Sequence, residues 1–149
     1  MVMVDSFTGA LFLVAIRDKR APTTAAVGRL LISFIGPPAE WVTDGGGEWE
    51  GDFHAMLEDN CVVHRVTSPN HPQANGMAER GVQVAKQMLS RLLAEMRPKD
   101  DFKKLLPGVM LAYNCSKHKS TGFSPYFLLT DARFLCPSSR SWCFERRLI

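Results

Sequence analysis

The chain has 149 residues, 46% hydrophobic and 22% charged, with 18 Lys and Arg against 15 Asp and Glu and a net charge of +3. That is enough for one domain with a real core, and it excludes a globally disordered polymer. Mild basicity permits nucleic-acid binding without arguing for it.

No apolar run reaches the length of a membrane span, and the first ten residues lack the charged region of a signal peptide. An intracellular protein with no membrane partner is expected. Cys61, Cys115, Cys136 and Cys143 form no CxxC pair and no zinc spacing, so reduced, structural thiols are expected. Asn114-Cys115-Ser116 matches a glycosylation sequon, read as chance in such a protein.

In chain order, Val2–Val4 is a short apolar piece, Gly9 marks a turn, and Leu11–Ile16 reads as a strand buried on both faces. Thr23 caps a helix through AAVGRLLISFI, which Gly36-Pro37-Pro38 ends. Trp41–Thr43 is a strand that delivers Asp44 to its C-terminal end. Gly45–Gly47 is a flexible turn, Phe53–Asn60 a brief helix, and Val62–Val66 a strand with Val62 and His64 on one face and Val63 and Arg65 on the other. Thr67–Gly76 is loop by composition.

Ala78–Met96 is the longest helix. Val82, Ala85, Leu89, Leu92 and Met96 lie on one face, widened by Met88. Asp101–Asn114 reads as a helix interrupted by Pro107, and a short helix begins after Ser124-Pro125. Residues 1–130 form the core-like domain and 131–149 a divergent, poorly ordered tail. Alternating strands and helices make the class α/β, a mixed sheet flanked by helices.

Two acids stand out. Asp44 sits at a strand's C-terminal end, where open α/β sheets place their chemistry. Glu79 lies on the first turn of the long helix, and Gln83, Lys86 and Ser90 project within about 40° of it. Lys86 on that face suits a phosphate. Hard divalent cations take oxygen ligands, and two of them about 4 Å apart can clamp the attacking and leaving oxygens of a phosphoryl transfer. A lone surface acid is usually just solvated; the segments around these two reverse that weighing.

TDGGGEW resembles the (S/T)D-x-G-x-(E/Q)-F segment of the integrases of gypsy-type LTR retrotransposons, with Trp49 in the aromatic position. HRVTSPNHPQANGMAER is similar to the same family's H-x-x-T-S-P-Y-H-P-Q-x-N-G-x-x-E-R segment, with Asn70 in place of Tyr. Glu79 follows Asp44 by 35 residues, one short of the family's usual spacing. AYNCSKHKSTGFSPYFLL resembles a third family segment, and the likeness runs from about residue 1 to about residue 130. The resemblance implies a ribonuclease-H-like fold, a nuclear protein, a DNA partner, a possible homodimer, and strand transfer with Mg²⁺ or Mn²⁺. It makes Asp44 and Glu79 catalytic metal ligands and His71, Gln73, Asn75, Gln83 and Lys86 DNA-contacting residues. Asn75 and Gly76 have a purely structural reading too, as cap and turn.

The resemblance also implies a third carboxylate. Asp5 is the obvious candidate, but VDSFTGALFLVAIRDKRAPTTA resembles the family's second strand and the segment after it, and the catalytic Asp belongs to an earlier, central strand. Asp5 is therefore expected to end a strand and cap a turn. Without that first strand, the sheet should break between Val2–Val4 and Glu40–Thr43, and the chain alone should show little strand transfer. The family's Gly before the fourth strand is here Cys61, which puts a β-carbon where positive φ is expected. A domesticated, non-catalytic nucleic-acid- or protein-binding domain is the alternative; the sequence upstream of Met1 in the gene discriminates. A ribonuclease H is disfavoured by the HPQ-x-NG loop.

Overall fold

A computed structural model describes residues 1–67, 76, 80–84, 86–88, 90–91 and 102–130. Its strands are β1 (Val2–Val4), β2 (Leu11–Leu13), β3 (Glu40–Thr43) and β4 (Val63–Val66). Its helices are α1 (Ala21–Ile35), α2 (Asp52–Asp59), α3 (helical at 80–84, 86–88 and 90–91), α4 (Leu106–Cys115) and α5 (Pro125–Thr130). This is the α/β class expected. Among the described residues the strands form two separate pairs, β1 antiparallel to β2 and β3 parallel to β4. The division falls between Val2–Val4 and Glu40–Thr43, where the break is expected.

The chain forms two compact units. The first comprises Met1 with Val14–Gly76. Here β3, α2 and β4 make a parallel β-α-β unit in register Glu40↔Val63 through Thr43↔Val66. Ala25 of α1, Phe53, Met56 and Leu57 of α2, and Val62 are buried together, with Trp41 and Trp49 against them. Alternation then sorts the sheet. Trp41 packs edge-on against Phe53 at 5.5 Å on the inner face. Val42 and Val63 stay exposed on the other face, beside an ion pair of Glu40 with Arg65. Parallel strands are usually covered on both sides; the described residues cover one.

Helix α1 starts earlier than its sequence suggests. Thr23 is not the cap, because Ala21 and Pro22 already occupy the first turn, where proline's missing N–H costs nothing. The Asp18 carboxylate holds that end instead, accepting from the Arg20 N–H at 3.2 Å and the Thr23 hydroxyl at 2.7 Å. The Arg20 guanidinium first, then the Thr23 hydroxyl and the Arg20 N–H, hold Asp18 well below the usual carboxylate range. Gly36, at φ 85°, ends the helix as expected. Cys61 sits at φ 56°, so the β-carbon does fall in the left-handed region.

The second unit comprises Val2–Leu13 with Met77–Ile149. Leu11, Leu13, Leu106 and Val109 form its core, with Met88 and Tyr113 packed against them. Gly81 of α3 lies so close to β1 that a Cβ there would stand 2.5 Å from Val4 Cγ2. The hairpin turn rests on Asp5, whose Oδ2 accepts from the Thr8 N–H at 2.9 Å and from the Thr8 hydroxyl. Asp5 thus ends a strand and caps a turn, as expected.

Three expectations need correction. The second strand ends at Leu13, not Ile16, because Val14 exchanges its backbone bonds with Met1 and the paired stretch stops there. Pro107 does not interrupt a helix: Phe102–Leu105 is a 3-10 turn, and Pro107 lies in the first turn of α4. Gly76, expected in the loop, is helical. The tail 131–149, with Cys136 and Cys143, lies outside the described residues. Cys61 is exposed and Cys115 buried. No described helix is long and apolar enough to cross a membrane.

Candidate functional site

Asp44 leaves the C-terminal end of β3 with its side chain exposed. The chain then turns through Gly45 and Gly46 into a 3-10 helix, Gly47–Trp49, which brings Trp49 back toward the strand end. The Trp49 ring lies edge-on to Phe53 at 4.9 Å, and its Nε1–H donates to Asp44 Oδ1 at 2.6 Å. The Gly46 N–H adds a long bond of 3.4 Å to the same oxygen. Thr24 ties the turn to α1 by donating its hydroxyl to the Glu48 carbonyl at 2.6 Å. One carboxylate oxygen is therefore held by an indole anchored in the core, and Oδ2 takes no hydrogen bond among the described residues.

Beneath this strand end lies a polar chain that no sequence motif announced. Thr43, buried, places its Oγ1 2.8 Å from His64 Nε2. His64 Nδ1 lies 3.0 Å from His54 Nδ1 of α2, and His54 Nε2 is 3.4 Å from Glu58 Oε1 one helical turn on. Burial, and then the charge of His54, lowers the His64 pKa from its ordinary value. The available signal was His64 falling on the inner face of β4, with Val62; nothing in the sequence paired it with His54.

Helix α3 carries Gln83, Lys86 and Ser90, all exposed, as their shared polar face requires. Gly81 and Met88 face the core. Glu79, His71, Gln73 and Asn75 lie outside the described residues, so of the two acids the structure places Asp44. A pair of hard cations needs several oxygen ligands. Asp44 offers one oriented carboxylate, and among the described residues no group of three or more His, Cys, Asp or Glu could hold a metal ion.

The fold finds its match among known proteins. The chain aligns with the HTLV-2 integrase catalytic core domain in complex with magnesium, in its trimeric form, at TM-score 0.73 and 19% identity over 86% of this chain and 82% of that one. The dimeric form of the same domain gives TM-score 0.69 at 20% identity over 84% and 79%. A simian T-cell lymphotropic virus intasome in complex with a PP2A regulatory subunit gives 0.80 at 18% identity, over 97% of this chain and 53% of that one. The chain has the fold of a retroviral-type integrase catalytic core. That core fold is the ribonuclease-H-like one expected from the sequence. The Pro-Pol polyproteins of simian foamy virus type 3 (strain LK3) and type 1 are 29% and 31% identical to this chain over 129 and 132 residues, 87% of it in each case. The chain spans 11% of the length of each of these polyproteins. No family model matches it.

Proposed function

We propose that this integrase-core fold belongs to a gypsy-type LTR retrotransposon integrase and serves metal-dependent DNA strand transfer in the nucleus, with the chain alone holding two of the three carboxylates. The observation that carries this reading is Asp44: an exposed carboxylate at the end of β3, oriented by Trp49, within the TDGGGEW segment. Asp44 and Glu79 would hold Mg²⁺ or Mn²⁺, which supplies charge neutralisation at the scissile phosphate when bound. The magnesium complex of the HTLV-2 core supports that choice of ion. Trp49 orients one Asp44 oxygen and leaves the other to the ligand. Gln83 and Lys86 present a polar helix face to the DNA backbone, where Lys86 meets phosphate as a point charge. His71, Gln73 and Asn75 contact DNA by the same resemblance. Self-association is proposed from the oligomeric forms of the neighbouring core.

The test is a paired binding and strand-transfer assay on labelled duplex DNA with Mg²⁺ and with Mn²⁺. The expected result is salt-dependent DNA binding, weakened by Lys86→Ala, and little or no transfer product. Robust product in Mn²⁺ that Asp5→Asn abolishes would overturn the assignment of Asp5 to the hairpin turn. Absence of DNA binding would favour a co-opted protein-binding domain instead.

A further inference from the structure

The Thr43–His64–His54–Glu58 chain takes no part in the function proposed above. Its central feature is the convergence of two imidazoles. His64 on β4 and His54 on α2 bring their Nδ1 atoms to 3.0 Å, with ring planes tilted by 40°. Each far nitrogen faces an oxygen: His64 Nε2 is hydrogen-bonded with Thr43 Oγ1 at 2.8 Å, and His54 Nε2 lies 3.4 Å from the exposed Glu58 carboxylate.

We propose that His54 and His64 form a two-nitrogen site for a divalent transition metal, Cu²⁺ or Ni²⁺. An ion bonded to both Nδ1 atoms at about 2.1 Å, a usual metal–imidazole distance, would subtend a nitrogen–metal–nitrogen angle of about 90° at this separation. That angle is the cis angle of tetragonal and octahedral coordination, which Cu²⁺ and Ni²⁺ adopt, and is narrow for tetrahedral Zn²⁺. Imidazole donors also select against Mg²⁺, which demands oxygen.

The oxygens around the pair suit ligating histidines. A metal-bound imidazole donates its other N–H to a carboxylate or another oxygen, which fixes ring and tautomer. For His54 the Glu58 carboxylate, 3.4 Å from Nε2, stands within ion-pair range to take that role. For His64 the Thr43 hydroxyl does so, because a hydroxyl both donates and accepts. Without metal, one nitrogen proton bridges the two Nδ1 atoms, and Thr43 donates to His64 Nε2. With metal, that proton sits on His64 Nε2 and Thr43 accepts. The exchange moves a proton across one ring and rotates one hydroxyl, with no net proton released. Two protein ligands leave the remaining coordination positions to water, and the half-exposed His54 side chain lets an ion enter.

Titration of the full-length chain with Cu²⁺ and with Ni²⁺ by calorimetry, with the Cu²⁺ complex followed by electron paramagnetic resonance, tests the site. One equivalent of bound Cu²⁺ with two equivalent nitrogen donors is expected, unchanged in Cys61→Ser. Glu58→Gln should weaken binding about tenfold, the usual cost of losing an outer carboxylate. His54→Gln and His64→Gln should each weaken it further. His54 is half-exposed, so His54→Gln tests the site even if His64→Gln unfolds, which circular dichroism reports. The proposal falls if the wild-type chain binds neither ion, or if His54→Gln binds as the wild type does; the imidazoles are then simply a neutral hydrogen-bonded pair.

Discussion

The carboxamide of Asn114 bonds both backbone groups of Leu11: the Leu11 N–H donates to Oδ1 at 2.8 Å, and Nδ2 donates to the Leu11 carbonyl at 2.8 Å. Both residues are fully buried. A side chain on α4 thus stands in for a neighbouring strand along β2. Each buried group left unpaired costs about 1–3 kcal/mol. Asn114→Ala should therefore destabilise the chain by about 3 kcal/mol, measured as a lower urea midpoint with unchanged m-value. The same burial closes the sequon: a folded chain carries no glycan there.

Gly81 makes the second tight approach. Its absent Cβ would lie 2.5 Å from a methyl of Val4, a stiff β-branched side chain that cannot swing away cheaply. Gly81→Ala should cost about 2 kcal/mol through overpacking. Val4→Ala in the same chain should recover part of that loss, and a double-mutant cycle on urea midpoints reads the coupling.

Cys61 carries strain in the other direction. At φ 56° its β-carbon sits in a conformation that glycine adopts freely. Cys61→Gly should stabilise the protein by about 1 kcal/mol, the left-handed penalty less the added chain entropy. Thermal unfolding checks it, and a lower Tm would refute the strain.

Two histidines give stability a pH slope. Burial lowers the pKa of His64, helped by the charge of His54, and burial lowers that of His118 against a smaller opposing hydrogen bond at Tyr113. The unfolded chain titrates near the ordinary 6.5, so below that pH it binds more protons than the folded chain. The stabilising contribution is complete above 6.5 and is lost as pH falls from 6.5 toward the folded values. Tm should decline as pH falls below 6.5, and the double variant His64→Gln, His118→Gln should decline less steeply there.

Much of the fold is legible in the sequence because local chemistry and tertiary structure agree. Asp44 reads as a strand-end residue because Trp41–Thr43 is short, apolar and followed by three glycines. Asp5 reads as a turn residue because Thr8 and Gly9 come soon after it. The misplaced boundaries share a cause, a partner from outside the element. Asp18 moves the start of α1 forward of Thr23, and Met1 takes the bonds of Val14. Pro107 looks like an interruption until its place is known, since a proline in a first turn needs no acceptor. The His54–His64 pair is invisible for a different reason: packing of α2 on β4 creates it, and no spacing along the chain encodes that.

The second unit joins Val2–Leu13 to residues from Met77 onward, and Asn114 reaches back 103 positions to Leu11. During synthesis, the first hairpin leaves the ribosome long before α4 exists to close its edge. The first unit, Met1 aside, can complete itself while that hairpin waits with two backbone groups unserved. A nascent chain that has released β4 from the ribosome but not yet α4 would thus combine a paired β-α-β body with an open-edged hairpin, a state exposed to misfolding.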